Sequence, residues 1–416
     1  MFKNSFLTSC AALVFMACGG NGSNHLSSDN ANDAGAAADT TAQPVETREP
    51  NSSYKPAFEG QTRVKGVRTK TPYVVRILTA DLKKPWGIAI LPDGRLLITE
   101  KEGTMRIATD DGQLSAPITG LPDVNSKGQG GLLGLAIDPQ FSTNRMVYWV
   151  FSENRPGGTL TAVAKGKLSD DEKKIENATV IYRATPAHDG TLHYGGRILF
   201  DKQGNLVVST GERSDMVTRP QAQDLKSGLG KIVRITTEGK PAAGNPFEGN
   251  SNARPEIYSY GHRNVQGLAW HPETGDLWES EFGPRGGDEI NRVEPGKNYG
   301  WPTITYGIEY SGGKVGEAIQ QKEGMEQPVY YWDPVVSPSG IEFYKGDNMP
   351  EWKNNLFVAA LNKPHLVRLV IENNKVVGEE RLLEDERQRF RDVTVNNEGI
   401  LYAVTDGGRL YRIARQ

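Results

Sequence analysis

The sequence predicts an all-β fold, a six-bladed β-propeller, on two observations. One phrase recurs six times: an apolar pair, a turn of Asp, Asn or Gly, a hydrophobic strand and a polar turn. The 416-residue chain also carries 47 glycines and 24 prolines. That is roughly 11% glycine against a usual ~7%, with no collagen period, a composition of many turns.

The copies follow in order. The first starts at Ile88, where Asp93-Gly94 separates Ile88-Ala89-Ile90 from Leu96-Leu97-Ile98. The second runs from Leu135 through Asp138-Pro139 to Met146-Val147-Tyr148-Trp149, and the third from Ile198 through Gln203-Gly204 to Leu206-Val207-Val208. The fourth turns at Thr274-Gly275 after Leu268, the fifth runs from Ile341 to Leu356-Phe357-Val358, and the sixth turns at Asn397-Glu398-Gly399 after Val393. Each pairs β-rich runs across a turn signal, as a hairpin does. Six copies over about 345 residues give roughly 50–60 residues each, a four-stranded blade with some long loops. The strand near Val74 is expected to pair with Leu410-Tyr411-Arg412-Ile413 and close the ring, which removes exposed sheet edges.

The net charge is −3 and the isoelectric point about 6.2, so there is no global basic field of the kind that binds nucleic acid. No apolar run reaches the ~18 residues of a spanning helix. Both cysteines, Cys10 and Cys18, fall in the first twenty residues, where Lys3 precedes the run from Ala11 to Met16. That is the layout of a secretory signal. Phe15-Met16-Ala17-Cys18 resembles a bacterial lipobox, so residues 1–18 read as a lipoprotein-type signal; simple secretion is the alternative. The expected location is periplasmic, with a lipid anchor at Cys18. Residues 19–70, rich in Asn, Ser, Asp, Ala and Thr in their first part, read as a flexible tether. The propeller is expected over 71–416.

Four groups of polar residues fall where the blades would join. His193 lies just before the third copy and is followed by two glycines; an imidazole titrating near neutrality suits a general base, although a structural histidine fits the same pattern. Arg389 and Arg391, at i and i+2 of a strand, share one face. Such a pair needs an anion between its members or a carboxylate partner such as Asp392, Glu384 or Asp385. Gly261-His262-Arg263-Asn264 and Glu281-Phe282-Gly283-Pro284-Arg285-Gly286-Gly287-Asp288 combine carbonyls and acids, the donor set of calcium or simply a polar turn. Gly128-Gln129-Gly130-Gly131 enters a strand rather than a helix, so it is not a phosphate loop.

Taken in order, GQGGLLGLAIDP, LHYGGRILFD, YGHRNVQGLAW, EFGPRGGDEIN, NYGWP and RQRFRDV resemble the soluble glucose/sorbosone dehydrogenase family over about residues 71–416. Those enzymes oxidise aldose sugars with pyrroloquinoline quinone (PQQ) and calcium on a six-bladed propeller. The resemblance implies that His193 is the general base, that Gln129 contacts substrate, and that Arg263 and Asn264 hold the quinone end of PQQ. It implies that the carbonyls of Gly283 and Pro284 bind calcium, with Asp288 in the same motif. Arg389, Arg391 and Lys363 would answer the PQQ carboxylates, and Trp332 would wall the cofactor or sugar. Electrons would leave to a separate acceptor.

Leu192 stands where glucose-selective relatives place an aspartate, so relaxed specificity across aldoses, or a different polyol or aldehyde substrate, is expected. Glu212, in Gly211-Glu212-Arg213-Ser214-Asp215, reads equally as a surface turn and as a substrate contact. A calcium-dependent propeller lactonase and a non-catalytic sugar- or protein-binding propeller are the competing functions. The carbonyl-type cation motif and the arginine pair weigh against both.

Overall fold

The computed structural model describes residues 43–416. The signal segment 1–18 with Cys18, and residues 19–42 of the expected tether, lie outside the described residues. Strand β1 (Tyr73–Thr79) precedes blade 1, which is β2 (Pro85–Ile90), β3 (Leu96–Glu100) and β4 (Thr104–Ala108). Blade 2 is β5 (Leu132–Ile137), β6 (Met146–Arg155), β7 (Gly158–Leu168) and β8 (Ile175–Arg183). Blade 3 is β9 (Ile198–Phe200), β10 (Leu206–Ser209), β11 (Lys231–Ile235) and β12 (Ile257–Tyr260). Blade 4 is β13 (Val265–Trp270), β14 (Leu277–Glu281), β15 (Asp288–Val293) and β16 (Tyr330–Trp332). Blade 5 is β17 (Pro338–Phe343), β18 (Leu356–Ala360), β19 (His365–Glu372) and β20 (Lys375–Leu382). Blade 6 is β21 (Phe390–Val395), β22 (Leu401–Thr405) and β23 (Leu410–Arg415), completed by β1.

The fold is the six-bladed propeller expected from the repeats. Each recurring phrase supplies the first two strands of one blade. Closure joins β1 to β23 antiparallel, with Val75 opposite Ile413 and Ile77 opposite Tyr411. The second strands β3, β14, β18 and β22 are buried along their whole length. They are covered on both faces by neighbouring blades, which is why β3, β18 and β22 read as near-continuous apolar runs rather than alternating ones, whereas β14 buries Glu279, Ser280 and Glu281 at its site end. Trp149, Trp278 and Trp352 are fully buried between blades. A Trp side chain buries about 150–250 Å² and fills the wedge between two twisted sheets.

The first strands β2, β5, β9, β13, β17 and β21 contact one another in a closed inner ring. The residues that enter these strands converge at one face of the ring. His193 precedes β9, Arg263 and Asn264 precede β13, Gln129 precedes β5, and Arg391 lies in β21.

One expectation is corrected. Residues 43–70 were assigned to the flexible tether, yet they form a strap along the outer edges of blades 4 and 5. Tyr331 of β16 donates its N–H to the Gln61 carbonyl at 2.9 Å, and Val67 donates to the Glu379 carbonyl of β20 at 2.9 Å. Glu46, Gln61 and Val64 are buried. The strap is held by sheet-edge and polar side-chain bonds, and these leave no hydrophobic signature in the sequence.

Candidate active site

His193 occupies a left-handed backbone conformation, φ 49°, uncommon for a residue with a side chain. Its geometry is fixed from several sides. The His193 N–H donates to Gln129 Oε1 at 2.8 Å. Gly195, next in the turn, donates to Asn264 Oδ1 at 2.9 Å. Arg213 lies over the Tyr194 ring, 3.9 Å from its centroid, and bonds the carbonyls of Leu192, Thr159 and Gly190.

The His193 Nδ1 meets Glu212 Oε1 at 2.5 Å, with both side chains buried. Nε2 takes no protein partner among the described residues and is not sealed from solvent. Burial, reinforced by the Arg263 charge and opposed by Glu212, lowers the pKa of His193 from 6.5 to about 4. The imidazole is therefore neutral at pH 7. One nitrogen is oriented by a carboxylate and the other is open, the arrangement of a general base. Glu212 is thus neither a surface turn nor a free substrate contact but the partner of the histidine. The separation of 19 residues hid the pair, because only the ring of strands brings the two turns together.

Across the opening, Arg263 is held by its own backbone and by its tip. Its N–H donates to Glu281 Oε2 at 2.5 Å, and Nη1 donates to the Gly283 carbonyl at 2.6 Å. Its guanidinium lies 5.1 Å from the Trp301 ring centroid. Arg263 Nε and Asn264 Nδ2 are buried donors without a partner among the described residues. A buried donor left unpaired costs about 1–3 kcal/mol.

The Gly283–Gly287 loop has no room for side chains at its start: a Cβ on Gly283 would lie 2.2 Å from the Gly287 carbonyl oxygen. Asp288 is buried and accepts N–H bonds from Gly283, Val336 and Ser337 at 2.8, 2.9 and 2.6 Å. Burial still raises its pKa to about 7. Asp288 therefore shapes the loop, and the Gly283 carbonyl accepts from Arg263 Nη1. The Pro284 carbonyl accepts no hydrogen bond among the described residues. Behind the loop, His262, Glu279 and Glu281 place ligand-type atoms within 4.8 Å of one another. Burial and the Glu281 charge push both Glu279 and Glu289 well above the usual carboxylate range. Arg263, Glu281, Gly283, Glu289 and Trp301 share a small cleft.

The arginine pair shares a face, as its spacing predicts, but its carboxylate partner is none of the three expected. Arg391 grips Asp406 with Nε at 2.9 Å and Nη2 at 3.1 Å, and Arg389 Nε reaches the same carboxylate at 2.9 Å. Asp392 instead pairs with Arg197. Two guanidinium groups on one carboxylate leave a net positive charge. Arg389 is 52% exposed and Arg391 15% exposed. Lys101 adds to this charge: burial, the Lys84 charge and the Arg391 charge lower its pKa, and its Nζ donates to the Gly128 carbonyl at 2.7 Å. Lys363 is exposed in the turn between β18 and β19, two residues from the Leu361 carbonyl that accepts from Arg389 Nη1 at 2.7 Å. Gln266 links the two sides of the site, with Oε1 3.5 Å from Arg391 Nη1 and Nε2 3.4 Å from Asn264 Oδ1.

Trp332 is a correction. It is buried in β16 and donates its indole N–H to Glu379 Oε2 at 3.1 Å, which makes it a core residue between blades 4 and 5. The tryptophan at the site is Trp301, in the Asn298-Tyr299-Gly300-Trp301 turn. Gln129 and Leu192 are both exposed at the opening.

The Glucose / Sorbosone dehydrogenase family pattern matches residues 82–412. The chain belongs to that family. It is an oxidoreductase. The aldose sugar dehydrogenase YliI of Escherichia coli K12 is 43% identical over 345 residues, covering 82% of this chain and 92% of that protein. The apo-form structure of the soluble aldose sugar dehydrogenase from E. coli superposes with a TM-score of 0.79 at 42% identity, covering 83% of this chain and 100% of that one. The PQQ-bound form of the aldose sugar dehydrogenase from Streptomyces coelicolor superposes with a TM-score of 0.69 at 31% identity, over 83% and 99% of the two chains.

Proposed function

We propose that the protein oxidises aldose sugars at the anomeric carbon to the lactone, with PQQ and calcium as its cofactors. The observation that carries this reading is the His193–Glu212 pair facing two buried donors without a partner among the described residues, Arg263 Nε and Asn264 Nδ2. The residues fit such a cofactor. Arg389, Arg391, Lys363 and Lys101 supply cationic donors for a tricarboxylate, and Arg263 and Asn264 supply donors for a quinone oxygen. The Gly283 and Pro284 carbonyls suit a hard cation. When bound, PQQ supplies the two-electron acceptor and calcium the Lewis acid.

The protein's own part is orientation and proton handling. His193 Nε2 takes the proton from the anomeric hydroxyl while the C1 hydrogen would leave with its electron pair, as hydride, to the two-electron acceptor, so the C1–O bond of the closed ring becomes the lactone carbonyl. Glu212 stabilises the imidazolium as it forms, and a positioned base of this kind contributes roughly 10²–10⁴-fold. Arg263 answers negative charge that develops on the acceptor side. Gln129 has its Oε1 committed to the His193 N–H, which leaves its amide N–H₂ for a sugar hydroxyl. Export with a lipid anchor at Cys18 would place this chemistry in the periplasm, where electrons pass to an external acceptor.

Reconstitution tests the proposal. Calcium-free protein receives PQQ and calcium, and cofactor absorbance is followed as aldoses are added. Sugar-dependent reduction that requires both additions is expected. Tight PQQ binding without reduction by any aldose would refute the substrate class, and no PQQ binding would refute the function.

A further inference from the structure

The loop of the proposed cation site, Gly283-Pro284-Arg285-Gly286-Gly287, contains three glycines, the residues with the largest backbone freedom to lose on ordering. It has almost no apolar surface to hold it. On its inner side it is fixed by Asp288 and by the Gly287 N–H, which donates to the Trp332 carbonyl at 2.9 Å. On its outer side it leans on Asp333. A Cβ at Gly286 would lie 2.7 Å from Asp333 Oδ1, so carboxylate and loop backbone are in close approach.

Asp333 is in turn held by the N-terminal strap. Asn51 donates to Oδ1 through its backbone N–H and its Nδ2, both at 2.8 Å. Ser52 donates to Oδ2 through its N–H and its hydroxyl, both at 3.0 Å. Arg285 of the loop donates from Nε to Asn51 Oδ1 at 3.1 Å. Ser52 Oγ also lies 3.3 Å from the Tyr306 carbonyl, and Gly287 packs against Tyr306. The strap precedes the span matched by the family, 82–412. Its contacts with the loop are therefore made by a part of this chain outside the matched span.

We propose that Asn51 and Ser52, acting through Asp333 and Arg285, are positioning residues for the 283–287 loop, and that the strap thereby sets how tightly the protein retains its cation. The proposal rests on the cofactor reading above only for the identity of that cation. An attachment just past the strap, before β1, supplies a control: Thr71 donates through its hydroxyl to Glu351 Oε2 at 2.6 Å, and through its N–H to Oε1 at 2.7 Å. Neither of these residues touches the loop.

The test compares full-length Asn51→Ala/Ser52→Ala with Thr71→Ala/Glu351→Gln. Amide hydrogen exchange over residues 282–290 is measured without cofactor, and the calcium concentration for half-maximal PQQ retention is measured with it. In the first variant, exchange in the loop should speed by about tenfold and the calcium requirement should rise by about fivefold. The control should lower the thermal midpoint while leaving both readings within about twofold of the parent. Unchanged exchange in the first variant, or equal acceleration in both, overturns the proposal. Should the parent protein retain no PQQ or calcium, the functional reading fails, and the exchange comparison alone still decides the strap's role.

Discussion

Replacing Glu212 by Gln asks whether the carboxylate on His193 acts through its charge. The substitution keeps the shape of the side chain, and an amide oxygen can still accept from Nδ1 across the 2.5 Å contact and from the Ser214 N–H at 3.0 Å. Only the negative charge is lost. In the resting protein the effect on His193 is small, because burial already keeps the imidazole neutral with a pKa of about 4. In the transition state the ring becomes cationic in a buried setting, and a charge-assisted bond there is roughly twice as strong as a neutral one. The difference is about 1–1.5 kcal/mol, which translates to a ~5–13-fold lower kcat. Glu212 Oε2 has no partner among the described residues, so the new amide nitrogen would also sit unpaired there, at a cost of about 1–3 kcal/mol in stability. Steady-state kinetics on reconstituted enzyme would show the fall in kcat with sugar KM and PQQ affinity little changed. A kcat within about threefold of the parent across pH 6–9 would refute the role of the Glu212 charge in stabilising the His193 imidazolium.

Four further outcomes follow from the same geometry. Arg391→Ala removes the guanidinium that grips Asp406 twice, and PQQ titration should show about 10–100-fold weaker binding with kcat at saturating PQQ retained; unchanged affinity would detach the arginine pair from the cofactor. Gly283→Ala forces a Cβ to within 2.2 Å of the Gly287 oxygen, and calcium titration should show a raised requirement. Leu192 is 41% exposed, so Leu192→Asp should fold normally and shift kcat/KM toward glucose relative to other aldoses. Burial holds His193 at about 4 and His365 at about 3, both below the usual 6.5. The unfolded chain therefore binds their protons first, and each imidazole's contribution to stability is lost as pH drops from about 6.5 toward 4, while Asp288, raised to about 7, acts in the opposite direction; the thermal midpoint of the parent relative to His365→Gln should therefore fall between pH 7.5 and 4.5, and a constant difference would contradict this.

The blades were legible because each one repeats the same apolar–turn–apolar phrase, and the ring closure was legible because two β-rich runs stood at the ends of the repeats. Residues inside motifs were legible too: Arg263, Asn264 and Gly283 lie next to turns whose glycines are required sterically. Partners were not. Glu212 and Asp406 each lie in a turn that reads as ordinary surface, and their roles exist only once β9, β13 and β21 share a ring. Trp332 and Trp301 show the converse. Both are tryptophans near turns, and the choice between them depends on which one has its indole N–H committed to Glu379. The strap escaped because its burial is polar: Asn51, Ser52 and Gln61 carry specificity without hydrophobic periodicity.

The site divides its electrostatics between two sides, and this division is what an oxidation of a neutral sugar requires. On the His193 side, one buried carboxylate compensates a ring that is neutral at rest, so positive charge is stabilised only when a proton arrives. On the Arg389–Arg391 side, one carboxylate is shared by two guanidinium groups, so net positive charge is present at rest, which suits the anionic cofactor proposed to bind there. Gln266, neutral and able both to donate and to accept, lies between Arg391 and Asn264 and lets the two regimes adjoin without a charge pair that would cancel them. A carboxylate at position 266 would collapse the distinction by pairing with Arg391. Gln266→Glu is therefore expected to weaken PQQ binding, although it removes no cationic group, and PQQ titration of that variant measures how far the separation itself matters.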